Sequence, residues 1–228
     1  MRIFLPHGMG RSPASMWPLA LRLKRAGYRP SLFGYFVAFE TFDQIVERFL
    51  RQVNLVLVED LEAGKDVSRW GVVGHSLGNI ITRKAYPSLP VGFSRFIMLA
   101  PPNQPPAAAR SLRNNFFFKT FTRNAGQTIA DPSFYDELPV PDVPSLVVAG
   151  DAGPRFGWLP FDGPHDAVVQ VDETRLDDIP VLRVPAMHTF MMNRQDVTDA
   201  ILDFLEHGNG ERVLAGSGHG NDRTAAEA

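Results

Sequence analysis

Short apolar runs alternate along the chain with segments in which apolar residues recur at helical spacing. The clearest helical stripe covers residues 42–56, where Phe42, Ile45, Phe49, Val53 and Val56 fall on one face. The strand-like runs are RIFL, SLFGYF, WGVVG, FIMLA, SLVVAG and VLRV. Buried strands that alternate with helices predict a doubly wound α/β fold, in which a mostly parallel sheet carries helices on both faces.

Capping residues support two of the predicted helices. Thr41 and Gln44 form a capping-box pattern directly before the long apolar stripe. Asn193 and Asp196 predict the start of the last helix, and Gly208 predicts its end. The sheet and its helices therefore predict one domain over residues 1–207.

Three segments depart from the alternation of strands and helices. Residues 101–143 are too long for a simple connection and too aromatic for a linker, so we interpret them as a small cap insertion. Residues 151–166 form a loop rich in Gly, Pro and acids after a strand, a position that suits a site. Residues 208–228 are polar, rich in Gly and Ala, and without periodicity, which predicts a disordered tail.

Composition excludes several classes of protein. The 228 residues carry a formal net charge of −2 without a long block of one sign, so a nucleic-acid partner is not expected. The chain has no cysteine, which excludes disulfides, thiolate chemistry and Cys-ligated metals. The N-terminus has only a three-residue apolar run before Pro6, and no window approaches a membrane span. We therefore expect a cytoplasmic protein without a transmembrane segment.

Ser76 lies in a G-x-S-x-G motif, between Gly74 and Gly78, directly after the run WGVVG. Such a serine at a strand-to-helix turn is typical of a nucleophile elbow, where the strained backbone requires very small residues two positions away on either side. The amides of the helix that begins at Leu77 then face a developing oxyanion. The alternative is a plain N-cap serine in a tight turn. The context favours the nucleophile.

A serine hydroxyl is a poor nucleophile until a base removes its proton, and that base needs an acid that sets its tautomer. Of the six histidines, only His188 follows the last predicted strand and precedes the last predicted helix. A loop at that position carries its side chain to the carboxyl edge of the sheet, so we predict His188 as the base. The other five are His7, His75, His165, His207 and His219.

Five aspartates compete for the role of the acid: Asp142, Asp151, Asp162, Asp166 and Asp172. Asp151 directly follows the run SLVVAG at the end of a strand. Asp166 precedes the short apolar run AVVQV, a frequent placement for the acid in folds of this kind. Position alone favours Asp166 and leaves Asp151 open.

The segments PHGMG, GHSLG, HDAVVQVDETRL and MHTF, in this order, resemble the α/β-hydrolase family, and most closely its small bacterial lipase and PGAP1-like branch. The resemblance covers about residues 2–207. It implies Ser76 as nucleophile, Asp166 as acid and His188 as base, which agrees with the chain order of this fold. It also implies an oxyanion hole made by the backbone amides of Met9 and Leu77.

These residues predict a serine carboxylesterase or lipase that uses no cofactor and no metal. We expect Phe117, Phe121 and Trp158 to contact a small-molecule ester or lipid-like substrate, although aromatic side chains there also serve to pack a cap onto the body. Contact with a lipid interface and the oligomeric state stay open. Two alternatives also stay open, namely a thioesterase or amidase with the same triad and a catalytically idle binding module.

Overall fold

The computed structural model describes residues 1–105, 131–154 and 161–216, which form a three-layer α/β structure around one parallel sheet. Its six strands lie in the order β2-β1-β3-β4-β5-β6, and each neighbouring pair is parallel. The strands are β1 (Arg2–Pro6), β2 (Arg29–Phe33), β3 (Trp70–His75), β4 (Phe93–Leu99), β5 (Ser145–Gly150) and β6 (Val181–Val184). The six predicted strands are therefore all present, and the fold class is confirmed.

The longest described helix contains the apolar stripe predicted over residues 42–56. The α-helices of the described residues are α1 (Trp17–Arg25), α2 (Phe42–Glu62), α3 (Leu77–Ala85), α4 (Pro132–Asp136), α5 (Gln195–His207) and α6 (Gly210–Gly216). Short 3₁₀ helices cover Pro13–Met16, Tyr86–Ser88, Asp172–Thr174 and His188–Asn193. The capping box of α2 is confirmed, because the Thr41 hydroxyl accepts from the Gln44 amide while the Gln44 side chain accepts from the Thr41 amide.

The strands bury side chains on both faces of the sheet, as expected for a parallel sheet that helices cover on both faces. On one face, Phe4, Val72 and Phe96 pack with α2 and α3. On the other face, Ile3 and Ile97 pack with α1, α5 and α6. Side chains that alternate along each strand therefore contribute to a hydrophobic core on either face of the sheet. The sheet packed between these two cores supports the loops at its carboxyl edge.

The sheet has a topological switch point between β1 and β3. The chain leaves β1 towards β2 on one side and later returns to β3 on the other side of β1. Loops after such neighbouring strands diverge and leave a crevice at the carboxyl ends, which is the usual ligand position in open α/β sheets. The loop that follows β1 and the turn that follows β3 therefore meet at this crevice.

The predicted cap of the last helix was wrong. The last helix begins at Gln195 with Arg194 as its N-cap and no side-chain cap, so Asn193 and Asp196 do not cap it as predicted. Asn193 instead ends the 3₁₀ helix that begins at His188.

The first part of the predicted disordered tail is helical. Helix α6 places Val213 and Leu214 in the second core, where burial of two apolar side chains stabilises a segment too short to be helical alone. Of the predicted cap, the structure describes residues 101–105 and 131–143, which include α4. Among the described residues, no helix combines the length and apolarity needed to cross a membrane.

Candidate active site

Ser76 lies at the sharp turn between β3 and α3. Its backbone has φ 51° and ψ −120°, a conformation that residues with a side chain rarely adopt. The Ser76 amide donates to the Leu99 carbonyl at 2.9 Å, so the end of β4 holds the turn in place. Strain of this kind persists only where the surroundings impose it, and it is concentrated at functional sites.

The two glycines of the motif allow this turn because other atoms occupy the space of their missing side chains. A Cβ on Gly78 would collide with the Pro6 carbonyl, so α3 packs directly on the end of β1. A Cβ on Gly74 would collide with the Asn79 side chain. The small residues predicted from the motif are thus required by close packing on both sides of Ser76.

Asp166 and His188 form a buried pair on the loops that follow β5 and β6. His188 Nδ1 lies 2.7 Å from Asp166 Oδ2, and the two residues are 8% and 1% exposed. The other carboxylate oxygen, Oδ1, accepts from the amides of Val168 and Val169 at 2.9 and 2.8 Å. The carboxylate thus accepts hydrogen bonds at both oxygens, and these bonds orient it towards the imidazole.

The partner of Nδ1 sets the tautomer of His188. A carboxylate only accepts, so Nδ1 carries the proton and donates it to Asp166. In the neutral ring, Nε2 is then left as an acceptor with a free lone pair. This is the protonation state that a general base needs.

His75 connects the Ser76 turn to the His188 loop. Its Nε2 lies 2.9 Å from the His188 carbonyl, and the two ring centroids are 4.9 Å apart. Burial, chiefly, and the neighbouring His188 hold the pKa of His75 well below its usual value, so this ring is neutral and donates through Nε2. The hydroxyl of half-buried Ser76 itself forms no hydrogen bond with a described residue.

The loop after β1 also lies close to Ser76. A Cβ on Gly8 would lie 2.8 Å from His75 Nδ1 and 3.0 Å from the Ser76 Cβ, so only glycine fits there without movement. The next residue is Met9, and its amide forms no hydrogen bond with a described residue. The amide of Leu77, the first residue of α3, is likewise without such a partner. These are the two amides that the family resemblance implies for an oxyanion hole.

The other sequence candidates take different positions. Asp151 pairs with Arg183 at 3.2 Å, whereas the carboxylate bound to His188 Nδ1 is that of Asp166. His7 is buried, stacks on Tyr35 with centroids 4.3 Å apart, and has a pKa lowered by burial. Phe117, Phe121 and Trp158 lie outside the described residues, and their predicted role stays a prediction.

Sequence reasoning missed the part that His75 plays. His75 is adjacent to Ser76 in the chain, but its contact is with a carbonyl 113 positions away. The adjacent serine motif gives no signal for that contact. Gly8, within the PHGMG segment, was the one available hint of a close approach in this region.

The family model described as the alpha/beta hydrolase family matches residues 3–227. The chain therefore belongs to the alpha/beta hydrolase family. The match bears out the family resemblance of the sequence motifs, whereas the PGAP1-like branch stays a prediction. A search of the curated proteins finds no match.

Solved structures with the same fold include several lipolytic enzymes. The mature form of the lipase BlEst2 from Bacillus licheniformis is 16% identical with a TM-score of 0.71, and the match covers 91% of either chain. The phospholipase PlaB from Legionella pneumophila is 16% identical with a TM-score of 0.67; the match covers 94% of this chain but only 58% of PlaB. A structure from work on the metagenome-derived lipolytic enzymes LipS and LipT is 14% identical, with a TM-score of 0.64 and coverage of 90% and 93%. At these identities the likeness shows the fold.

Proposed function

We propose that this protein is a serine hydrolase that cleaves carboxylic esters, with Ser76 as nucleophile, His188 as base and Asp166 as acid. The observation that carries the proposal is the buried Asp166–His188 hydrogen bond, because it leaves Nε2 of the imidazole ready to accept a proton. The strained backbone of Ser76 and its partial exposure support the same assignment.

The reaction follows from these roles. His188 Nε2 takes the proton of Ser76 Oγ while that oxygen attacks the ester carbonyl carbon. The carbonyl oxygen becomes an oxyanion, which accepts hydrogen bonds from the amides of Met9 and Leu77. The intermediate collapses, His188 gives its proton to the departing alkoxide, and an acyl ester of Ser76 remains. Water, activated by His188, then hydrolyses that ester and restores the free serine.

Three features of the described residues favour this chemistry. Asp166 receives two backbone amides and the imidazole, so its carboxylate stays directed at His188 throughout the cycle. The amides of Met9 and Leu77 are free of other described partners and need no rearrangement before they receive an oxyanion. The missing hydrogen bond at Ser76 Oγ is common in unliganded hydrolases, in which that contact tightens on substrate binding.

The lipolytic enzymes of the same fold favour an ester over a thioester or amide as the scissile bond. The names of BlEst2 and PlaB describe a lipase and a phospholipase, respectively. We propose an apolar acyl group of medium length as the natural preference. Its contacts would include Phe117, Phe121 and Trp158.

A fluorophosphonate probe tests the nucleophile directly. We expect stoichiometric labelling of the wild-type protein and none of Ser76→Ala. Ser68→Ala is the matched control, because Ser68 is exposed and precedes β3 at the opposite edge of the sheet. A wild-type protein that stays unlabelled would refute the serine mechanism and favour a binding module.

A panel of p-nitrophenyl esters with acyl chains of increasing length tests the substrate. We expect kcat/KM to pass through a maximum at medium length. The matching thioesters and anilides, measured alongside, distinguish the alternatives, since higher activity on either class would reassign the scissile bond.

A further inference from the structure

A second recognition feature lies beside the candidate active site, on the side of β1 that faces β2. An open cleft of about 730 Å³ extends from the loop after β1 to the loop after β2. Its lining includes buried His7 and Tyr35, exposed Phe36, and Arg11. The cleft adjoins the turn at Ser76, because Gly8, next to His7 in the chain, lies so close to Ser76 that an added Cβ would be 3.0 Å from the Ser76 Cβ.

Arg11 holds a fixed position at the end of the proposed oxyanion loop. Its amide donates to the Gly8 carbonyl at 3.3 Å, which closes a turn through Gly10, whose φ is +66°. This turn therefore fixes the Arg11 backbone, from which the side chain extends, relative to Gly8. The positive charge of the guanidinium is among the smaller causes that lower the pKa of His75, after burial and the neighbouring His188.

The Arg11 guanidinium has no partner among the described residues. Arg11 is half-buried, yet its side chain forms no hydrogen bond and no ion pair with any residue in the described ranges. Glu40, the acid that accepts from the Phe36 amide at the other wall of the cleft, is already paired with Arg48 at 2.5 Å. A partly desolvated guanidinium with five donors and no acceptor is an arrangement that an anionic ligand would complete.

We propose that the cleft binds an anionic group of the ester substrate and that Arg11 is the residue that recognises it. The proposal rests on the proposed ester hydrolysis and narrows its substrate to esters that carry a phosphate or carboxylate. The apolar wall at Tyr35 and Phe36 contacts the chain between that group and the scissile bond. A guanidinium group binds either a phosphate or a carboxylate with two parallel hydrogen bonds, which set the orientation of the bound anion as well as its affinity.

Two matched substrate pairs test this recognition. The first pair is 1-decanoylglycerol 3-phosphate and 1-decanoylglycerol, which differ only in a phosphate on the alcohol. The second is the p-nitrophenyl monoester of adipic acid and p-nitrophenyl hexanoate, which differ in a carboxylate on the acyl chain. The quantity compared is the ratio of kcat/KM for the anionic member to that for the neutral member of each pair.

We expect Arg11→Gln to lower this ratio about 10- to 100-fold in at least one pair, the usual effect of losing a hydrogen bond to a charged group. Arg11→Lys should fall in between, because it keeps the charge and loses the paired donors. Arg51→Gln makes the same charge change on the exposed face of α2 and should leave the ratio at the wild-type value. The pair that responds identifies which part of the substrate occupies the cleft.

Binding to Ser76→Ala separates this proposal from the proposed reaction, since titration calorimetry needs no turnover. Decanoylglycerol 3-phosphate should bind Ser76→Ala more tightly than decanoylglycerol, and the added Arg11→Gln should remove the difference. Inorganic phosphate in a parallel titration shows whether a free anion suffices: competition with the ester confirms the shared site. Equal ratios in wild type and Arg11→Gln for both pairs, together with equal binding, would overturn the assignment of Arg11 even if Ser76 is labelled normally.

Discussion

Asp166 and His188 are joined at two points. The Asp166 carboxylate accepts from His188 Nδ1 at 2.7 Å, and the Asp166 carbonyl accepts from the His188 amide at 2.9 Å. The loops after β5 and β6 are thereby tied together through both backbone and side chain. Orientation of the imidazole does not depend on one contact alone.

Replacement of Asp166 by Asn should therefore impair chemistry more than structure. The amide presents either an oxygen or an NH₂ group to Nδ1, and the second choice inverts the tautomer of His188. We expect kcat to fall by about 10³- to 10⁴-fold, as for the same change in serine proteases, while the backbone contact keeps the loop in place. Steady-state ester hydrolysis and circular dichroism measure the two effects.

Asp151→Asn is the matched control for that variant. Asp151 is the alternative acid that the sequence left open, and it pairs with Arg183. We expect nearly wild-type kcat from Asp151→Asn. The reverse pattern, with activity lost in Asp151→Asn and kept in Asp166→Asn, would reassign the acid.

The sequence was most informative for the candidate site residues that follow strand ends. Ser76 and His188 each follow a strand, and parallel strands bring their carboxyl ends to one edge, so chain order alone predicts their approach. The contact of His75 with the His188 carbonyl spans 113 positions and leaves no periodic pattern. The sequence likewise gives no sign that Arg11 lacks an ion pair among the described residues, because this depends on its surroundings in the fold.

The errors at the end of the chain also have physical causes. The sequence pattern treats Asn193 as a cap, whereas the chain there is already in a 3₁₀ helix that begins at His188. Helix α6 has only seven residues, too few to show a period, and depends on burial of Val213 and Leu214 against the sheet. Tertiary packing therefore explains both the 3₁₀ helix that contains Asn193 and the helical start of the predicted tail.

Gly8→Ala tests the close approach of the proposed oxyanion loop. The new methyl group would meet His75 Nδ1 at 2.8 Å and the Ser76 Cβ at 3.0 Å, so the loop that carries the Met9 amide must move away. A displacement of about 1 Å in a catalytic group costs about 100-fold in rate, which is the loss of kcat that we expect. Gly216→Ala is the control, because a Cβ there meets nothing within 4 Å.

The two glycine variants also separate catalysis from folding. Thermal unfolding of Gly8→Ala should show a cooperative transition, and the fluorophosphonate should label it more slowly than the wild type. Wild-type kcat in Gly8→Ala would mean that the loop does not serve the oxyanion.

His75 should make stability depend on pH below neutrality. Its pKa is well below 6.5 in the folded protein, chiefly because of burial, so between that value and 6.5 the unfolded chain binds more protons. Its contribution to stability is therefore present above about pH 6.5 and is lost as the pH falls. One such group gives a slope of up to about 1.4 kcal/mol per pH unit.

The variant His75→Gln keeps a donor for the His188 carbonyl and removes the titrating ring. We expect its free energy of unfolding, from urea titrations at pH 8, 7, 6 and 5, to decline less steeply between pH 7 and 5 than that of the wild type. Burial also lowers the pKa of His7, so this residue accounts for part of the pH dependence of stability that remains in His75→Gln. Parallel curves for His75→Gln and wild type would show that His75 does not titrate in this range.

Asp60 stabilises the sheet at the amino ends of its strands, whereas Ser76 lies at the carboxyl ends. This carboxylate on α2 is 1% exposed and accepts two hydrogen bonds from Arg2, at 2.8 and 2.7 Å. Lys65 adds a contact at 3.2 Å, and Arg29 lies 3.6 Å away. The bonds from Arg2, above all, lower the pKa of Asp60 to about 2 from an ordinary 3.8.

That shift corresponds to about 2 kcal/mol of stability, which is complete above pH 4 and is lost as the pH falls towards 2. Asp60→Asn should lower the free energy of unfolding at pH 7 by about 2 to 4 kcal/mol, because it also leaves Arg2 without its charge partner. Asp178→Asn, at an exposed loop position, should change it little. Since the end of α2 that carries Asp60 and the start of β1 lie at the amino ends of the strands, ester hydrolysis by folded Asp60→Asn should match the wild type at 25 °C. A selective loss of kcat without loss of stability would instead connect this end of the sheet to the reaction.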